Sequence, residues 1–451
     1  MTGSTKQGRV LLIGALSAVL IALSSAGAAH AATPPSEAAG DVFYSPTTTV
    51  PQSKSAAGMR TYLSTNQPQY TLQSYVWSGS LVDDNGKLST FAMEMQRNDG
   101  SIDGSPNLPF VSSAALYNRT WDPGYVVGGF VGVADLTLPL SLTSRPWSVR
   151  AQSFTPGQLP QFTDVRVVKG ILGKKGAVYE FTTYVPNGAE GAPANQMLEL
   201  YIRAEDTTGV MMWGYGPSGF FPQWIYPAQR ALITGTYGNS VGKYLSKTDD
   251  PMTNQGDYYY TMPLLQVQRF TASIGGTVVS KGTSGTLWFD NVDQQIDAAA
   301  KQIMGNGVNW LEFSVQIPKS GQAMKIGHVV QSSVGELSYA MLHRPDSPKA
   351  KNGAFTNSLN WNMDKVHITP VASSAWTSPV SHQQYFTKYH VVLDGSKKKS
   401  ADFTLKAKFA NQELNVQGRS VYEGLFSLSG TLAGKHVNGQ AWAEVQPAGK
   451  L

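Results

Sequence analysis

The fold class is decided by the stretch VYEFTTYV at residues 178–185, which reads as an alternating β-strand. Two stretches of the same kind are FTDVRVV at 162–168 and MLELYIR at 197–203. Turn signals such as NG at 187–188 and DG at 394–395 separate runs of this type. Many short strands joined by tight turns are typical of antiparallel sandwiches and barrels. The sequence therefore predicts an all-β, antiparallel protein.

The first 31 residues have the pattern of a secretory leader. Lys6 and Arg9 form a positive start, residues 10–23 are mostly apolar, and AHA at 29–31 fits a cleavage site. The apolar run is shorter than the roughly 18 residues of an uninterrupted membrane span. We therefore expect cleavage near Ala31, a secreted or periplasmic protein, and no stable membrane anchor after cleavage.

Composition narrows the function classes. The chain of 451 residues contains no Cys, which excludes disulfides, thiolate metal sites and Cys nucleophiles. Loss of the two leader cations lowers the formal net charge from +5 to +3, too weak a charge to predict a nucleic-acid partner. Residues 32–60 are rich in Thr, Pro, Ser and Ala and are predicted to form a flexible lead-in. The sequence does not specify an oligomeric state.

Few short helices are expected. The clearest candidate is the segment 294–304, in which Ile296, Ala300 and Ile303 share one helical face and Asp293 can serve as the N-cap.

A spaced series of aromatic, Gly and acidic motifs runs along the chain. In order they are YVWSGSL (75–81), YYYTMP (258–263), GTLWFD (285–290), VNWLEF (308–313), AWTSP (375–379), NQEL (411–414), VYEG (421–424) and GQAWAE (439–444). This order and spacing resemble the carotenoid 1,2-hydratase (hydroxyneurosporene synthase) and AttH-like family of lipocalin-like proteins.

The resemblance implies two lipocalin-like β-barrel domains, which we place at residues 61–262 and 263–451. It implies an apolar, isoprenoid-like small-molecule ligand and a reaction that needs no cofactor. The hydratases also use a His a little upstream of the motif at 285–290, whereas residues 259–270 contain no His. Hydratase, cyclase and AttH-like functions therefore all stay open.

Asp290 is the predicted catalytic residue. On a strand, Asp290 and Trp288 share a face while Phe289 points away. The resemblance places this element beside the central cavity and implies an acidic catalytic role for Asp290. Hydration of an unactivated alkene begins with protonation of carbon, and a carboxyl group in a poorly solvated aromatic pocket has the raised pKa that this step needs. The alternative for Asp290 is a turn or capping carboxylate.

The predicted ligand-binding residues are Trp288, Tyr75, Trp77, Tyr260, His390 and Glu423. Aromatic faces can stabilise a carbocation, although Tyr75 and Trp77 can equally pack a barrel face. No His pair has metal-ligand spacing, so no metal site is predicted. The two functions left open are an acid-catalysed hydratase or cyclase and a non-catalytic carrier of a lipid-like ligand.

Overall fold

A computed structural model describes twelve segments of the chain. They cover residues 72–98, 110–119, 125–132, 148–153, 161–187, 192–213, 258–294, 308–331, 335–345, 359–361, 363–416 and 419–446. The predicted leader and lead-in lie outside these residues. Within them, no helix is long and apolar enough to span a bilayer.

The first sheet contains twelve antiparallel strands in the order β4-β3-β2-β1-β12-β10-β8-β7-β6-β5, with β9 and β11 paired to β10. Its strands are β1 Leu72–Val82, β2 Leu88–Asn98, β3 Phe110–Arg119, β4 Tyr125–Gly132, β5 Ser148–Ser153, β6 Gln161–Lys169, β7 Val178–Pro186, β8 Met197–Asp206, β9 Met211–Trp213, β10 Tyr258–Ile274, β11 Thr277–Gly282 and β12 Ser284–Gln294. The three alternating stretches that decided the fold class are β6, β7 and β8.

The second sheet contains ten antiparallel strands in the order β16-β15-β14-β13-β24-β23-β21-β20-β17, with β22 paired to β23. Its strands are β13 Val308–Ile317, β14 Gln322–Gln331, β15 Gly335–His343, β16 Leu359–Trp361, β17 Val366–Pro370, β20 Lys388–Leu393, β21 Ala401–Ala407, β22 Glu413–Val416, β23 Arg419–Leu432 and β24 Lys435–Gln446. A separate small hairpin pairs β18 Ala375–Thr377 with β19 Gln384–Phe386.

The helical content of the described residues is three short 3₁₀ turns, η1 Pro318–Ser320, η2 Met363–Lys365 and η3 Ala372–Ser374. Both sheets are curled, one as a half-barrel and the other as a nearly closed barrel. The predicted all-β class with two antiparallel, barrel-like units is confirmed.

Two predicted boundaries differ from the structure. The division at residues 262 and 263 falls inside β10, which continues through Pro263 because a β-bulge lies between Met262 and Leu265. The sheets change instead between Gln294, the end of β12, and Val308, the start of β13. Asp293 is also not a helix cap, since it lies within β12, where it pairs with Gln73 of β1. The rest of the predicted helix lies outside the described residues.

Each sheet has its own aromatic-rich core. Tyr75, Trp77, Phe181 and Phe289 pack in the first core, with the Trp77 and Phe289 ring centroids 5.0 Å apart. In the second core Phe313 packs edge-on against neighbouring aromatic rings. Burial of such large side chains is the main stabilising term for a chain without disulfides.

The C-terminal motifs hold the second sheet together. Ser378 of the AWTSP motif donates a hydrogen bond to Glu413 of the NQEL motif, and Tyr385 donates a second one at 2.8 Å. The neighbouring Gln412 accepts a hydrogen bond from the Leu425 backbone N–H at 2.7 Å. These contacts give the motifs a structural role in tying the segment around β18 and β19 to β22 and β23.

Candidate functional site

Asp290 projects from the first sheet toward the second. Its strand neighbour Phe289 belongs to the first core, while the Asp290 carboxylate contacts Lys325 of β14 in the second sheet. Trp288 lies on the same face as Asp290, as strand alternation predicts. Asp290 is only 5% exposed, so its carboxylate is enclosed between the two sheets.

Lys325 is the centre of a buried charged cluster, which we call the lysine cluster: Lys325, Asp290, Glu312 and Tyr259. The Lys325 Nζ lies 2.9 Å from Asp290 Oδ2 and 2.9 Å from the Tyr259 hydroxyl, and it also donates to Glu312 Oε1. The Tyr259 hydroxyl lies 3.1 Å from Asp290 Oδ2 and 3.2 Å from Glu312 Oε1. The Lys325 side chain is fully buried. The cluster therefore joins β10 and β12 of one sheet to β13 and β14 of the other.

Outer hydrogen bonds fix both carboxylates of the cluster. Asp290 Oδ1 accepts from the Thr261 hydroxyl, which in turn accepts from the Trp213 indole N–H at 2.9 Å. Glu312 Oε2 accepts from the Tyr339 hydroxyl at 2.5 Å. Tyr339 can reach across because the residue opposite it on β14 is Gly327, where a Cβ would lie 2.3 Å from the tyrosine ring.

The cluster holds one cation between two acids. Burial raises the pKa of Asp290 above its usual range, although Lys325 and the Thr261 hydroxyl act in the opposite direction. Burial alone would lower the pKa of Lys325, but attraction to Asp290 and Glu312 raises it, so Lys325 stays protonated. Burial and the nearby carboxylates raise the pKa of Tyr259 as well, which keeps its hydroxyl proton available for donation.

A row of three glutamates continues the site across the second sheet. Glu312, Glu444 and Glu423 are directly paired on β13, β24 and β23. Indole N–H groups hold two of them, from Trp310 to Glu444 at 2.8 Å and from Trp442 to Glu423 at 2.7 Å. Burial and repulsion by Glu423 and Glu312 raise the pKa of Glu444 well above its usual range, which favours the protonated form of its carboxyl group.

A small cavity, lined by both apolar and polar side chains, lies between the two sheets. Its volume is about 30 Å³, and its walls include Asp290, Tyr259 and all three glutamates of the row. Val76, Ser78 and Ala92 line it from the first sheet. A cavity of this size holds about one or two water molecules, and it has the several polar partners that a buried water needs.

The structure brings together only some of the residues predicted from sequence. Trp288 and Glu423 lie on the inter-sheet face with Asp290, and Glu423 lines the cavity. Tyr75, Trp77 and Tyr260 belong instead to the first core, because they pair in register with Asn291 and Phe289 on the opposite face of β12. The predicted aromatic wall around Asp290 is therefore wrong for these three side chains.

His390 also lies away from the cluster. Its side chain is 48% exposed on β20, where Nε2 lies 2.9 Å from Asp402 Oδ1. An exposed side-chain contact of this kind is a surface feature of the second sheet. His390 is not among the residues that line the inter-sheet cavity.

Sequence reasoning missed Lys325, Glu312 and Tyr259. The signal for the first two was present, since each is a lone charged residue within a strand of apolar neighbours, AMKIG and WLEFS. A buried charge needs a partner of opposite sign, so these strands predict an ion pair between them. The sequence could not show whether Tyr259 or Tyr260 faces the site, because three identical residues in a row do not reveal which face of the strand each one occupies.

Among the residues that the structure describes, no group of three His, Asp or Glu side chains is placed to hold a metal ion. The carboxylates of the lysine cluster already share an ammonium group, which occupies the place that a cation would take.

No protein-family model matches the chain, and no curated protein sequence matches it. Solved structures do match. A candidate AttH from Nitrosomonas europaea aligns with a TM-score of 0.53 and 14% identity over 84% of this chain and 94% of its own. Kievitone hydratase from Nectria haematococca aligns with a TM-score of 0.51 and 14% identity over 86% of this chain and 92% of its own. The protein is thus of the two-sheet, lipocalin-like class, with a fold similar to those of these two proteins.

Proposed function

We propose that the protein is an acid-base enzyme that adds water to, or cyclises, an acyclic apolar molecule of the isoprenoid type, with Asp290 as the proton donor and no cofactor. One observation carries the proposal: a buried carboxyl group of raised pKa borders a cavity of the size of a water molecule. The name of one protein of similar fold, kievitone hydratase, agrees with this class of chemistry.

The charge of the lysine cluster supports a protonated acid. One ammonium group, Lys325, serves two carboxyl groups, Asp290 and Glu312. If both were ionised, the cluster would carry a net negative charge in a site shielded from water, which is strongly unfavourable. The raised pKa of Asp290 favours its protonated form, and we therefore propose Asp290 as the group that carries the proton.

The proposed reaction begins with transfer of a proton from Asp290 to the alkene. The O–H bond of Asp290 breaks as the π electrons of the alkene form a C–H bond, which leaves a carbocation on the neighbouring carbon. A cavity water adds through an oxygen lone pair and gives its extra proton to the carboxylate of Asp290, so the net change is the addition of one water. In cyclisation a second double bond attacks the cation, and loss of a proton to the same carboxylate restores an alkene.

The surroundings of Asp290 suit these steps. The indole face of Trp288 and the neighbouring carboxylates can stabilise a developing cation. The Glu444 carboxyl group, whose pKa is raised, borders the same cavity and can exchange a proton with a water molecule that enters it. The cavity has room for the water alone, so we expect the double bond to reach Asp290 through a local separation of the two sheets.

The test is incubation of the purified protein with acyclic isoprenoids in ¹⁸O-labelled water, followed by mass spectrometry. A product that carries ¹⁸O supports hydration, and an unlabelled isomer supports cyclisation or double-bond migration. Absence of any product across hydrocarbon, alcohol and aldehyde isoprenoids, with the protein folded by circular dichroism, contradicts the enzymatic proposal.

The second candidate is a carrier that binds a lipid-like ligand without changing it. The observation that favours it is the aromatic inter-sheet face, where the Trp213 and Trp288 rings stack 6.2 Å apart. Recovery of unchanged ligand bound to the protein in the same experiment would select this function. For either function we propose export to the periplasm or the medium, on the strength of the leader pattern in residues 1–31.

A further inference from the structure

Four tryptophans lie around the inter-sheet site, and their indole N–H groups differ. Trp213, Trp310 and Trp442 each donate a hydrogen bond, to Thr261, Glu444 and Glu423 respectively. Trp288 Nε1 has no hydrogen-bond partner among the described residues, although Trp288 is only 2% exposed. The indole that shares a strand face with the proposed acid is therefore the one whose donor is unused.

The Trp288 ring is held in place by its neighbours. Trp213 stacks on it with an interplanar angle of 6°, and the Lys325 Nζ lies 5.5 Å from its centroid. The ring therefore has little freedom to turn its N–H toward solvent. A buried donor without a partner is destabilising, and such groups in native proteins call for a specific explanation, such as a bound molecule that accepts the hydrogen bond.

Trp77 provides an internal comparison. Its Nε1 also lacks a partner within the described part of the chain, and Trp77 is 1% exposed. Trp77 lies on the other face of the same sheet, in the first core, where Phe289 and Phe181 pack against its ring. Among the tryptophans that the structure describes, only Trp288 combines an unused donor with a place on the same strand face as Asp290.

We propose that the Trp288 indole N–H binds an oxygen atom of the substrate, so that the substrate is an apolar chain that carries a hydroxyl or carbonyl oxygen and is not a pure hydrocarbon. This inference rests on the proposed site at Asp290. Alternate residues on a strand face are roughly 7 Å apart, so the oxygen lies a few bonds from the double bond that Asp290 protonates. The N–H then orients the substrate, and Asp290 supplies the chemistry.

The experiment compares farnesol, an acyclic isoprenoid alcohol, with farnesene, the corresponding hydrocarbon. Dissociation constants are measured by fluorescence titration for the unaltered protein, Trp288→Phe and the matched control Trp77→Phe. We expect the unaltered protein to bind farnesol about tenfold more tightly than farnesene, as one added hydrogen bond of ordinary strength provides. Trp288→Phe should remove this preference, and Trp77→Phe should retain it.

Equal affinity of the unaltered protein for the two compounds, or a preference that survives in Trp288→Phe, would overturn the inference. If Trp288→Phe does not fold, NMR of the unaltered protein labelled with ¹⁵N-tryptophan tests whether an indole N–H binds the ligand oxygen. The chain has ten tryptophans, and one indole N–H resonance should move downfield with farnesol but not with farnesene. If no indole resonance moves in that way, the inference is wrong.

Failure of the proposed function gives a different result. If the preference for farnesol depends on Trp288 but Asp290→Asn leaves turnover unchanged, the oxygen-binding role stands and the catalytic assignment of Asp290 fails. If neither compound binds the unaltered protein, both proposals are contradicted for isoprenoid ligands.

Discussion

Lys325 of the second sheet lies 2.9 Å from Asp290 of the first, and this contact joins the stability of the inter-sheet junction to its chemistry. The ammonium group is fully buried and also serves Glu312. Because one cation balances only one of two carboxylates, the same arrangement that holds the sheets together favours the protonated form of Asp290, whose pKa burial raises. The proposed acid is thus a product of the way in which the two sheets meet.

Removal of the cation should destabilise the protein in a pH-dependent way. Lys325→Met leaves Asp290 and Glu312 buried without their partner, and loss of one member of a buried ion pair typically costs about 3–5 kcal/mol. Without the ammonium group that lowers its pKa, the buried Asp290 carboxyl group should bind a proton more tightly in the folded variant than in the unfolded chain, so the stability of the variant should fall as pH rises. Urea denaturation at pH 5 and pH 8 should therefore show a larger deficit at pH 8.

The exposed Lys365→Met variant serves as the control for that measurement, because its side chain is 48% exposed and its loss should change stability by less than about 1 kcal/mol. An equal deficit for Lys325→Met at both pH values would mean that the pKa of Asp290 does not respond to the missing cation.

Gln316 should contribute to the junction independently of charge. Its Nε2 donates to the backbone carbonyls of Pro263 at 2.6 Å and Leu287 at 3.0 Å, beside the bulge in β10. Gln316→Leu leaves these carbonyls without this donor and should lower the free energy of unfolding by about 1–3 kcal/mol. Thermal or urea denaturation measures this, with the exposed Gln384→Leu as the control. A loss of stability no greater than that of the control would show that the Gln316 hydrogen bonds do not stabilise the contact between the sheets.

Gly327 should be required because of Tyr339. A Cβ at residue 327 would lie 2.3 Å from the tyrosine ring, so Gly327→Ala must displace the ring from Glu312. Overpacking of this kind costs about 1–3 kcal/mol. The effect should nearly vanish in a Tyr339→Ala background, where no ring opposes the new methyl group, and a double-mutant cycle measures this coupling. Additive effects of the two changes would show that the steric account is wrong.

Asp206 should make stability depend on pH through a second, separate site. Burial raises its pKa from 3.8 to about 6, and Oδ2 has no hydrogen-bond partner in the described part of the structure. Between about pH 4 and pH 6 the folded protein keeps a proton that the unfolded chain loses, so this contribution to stability falls as pH rises. The difference between a pKa of 3.8 and a pKa of about 6 corresponds to about 3 kcal/mol.

Asp206→Asn should remove that part of the pH dependence. The amide oxygen can still accept from the backbone N–H groups of Thr208 and Gly209, which now lie 2.9 and 2.7 Å from Asp206 Oδ1. The free energy of unfolding of the variant, minus that of the unaltered protein, should therefore rise from pH 4 to pH 6 and stay level above pH 6. A difference that is constant with pH would place the pKa of Asp206 near its ordinary value.

The sequence predicts the strands and the direction of Asp290 well, because both depend on local alternation. The stretches around residues 162, 178 and 197 are strands, and Trp288 and Asp290 share a face opposite Phe289. Strand parity carries this information without any knowledge of partners.

The partners of Asp290 could not be predicted, because they depend on register and on contacts between distant segments. The bulge after Met262 and the pairing of Thr261 with Asp290 decide that Tyr259, not Tyr260, faces the site. Lys325 and Asp290 belong to different sheets. Their contact therefore depends on how the two sheets pack against each other and not on the pairing of neighbouring strands. The local signal of this contact was the presence of a single charged residue, Lys325 or Glu312, within an otherwise apolar strand.

The measurement that tests the central claim most directly compares Asp290→Asn with the exposed control Asp402→Asn. For a substrate found in the ¹⁸O experiment, Asp290→Asn should lower kcat by about 10²- to 10⁴-fold, the usual contribution of a general acid, while ligand affinity stays within a few-fold. Asp402→Asn should change neither quantity. If Asp290→Asn retains full turnover while its fold and affinity are unchanged, Asp290 is not the acid.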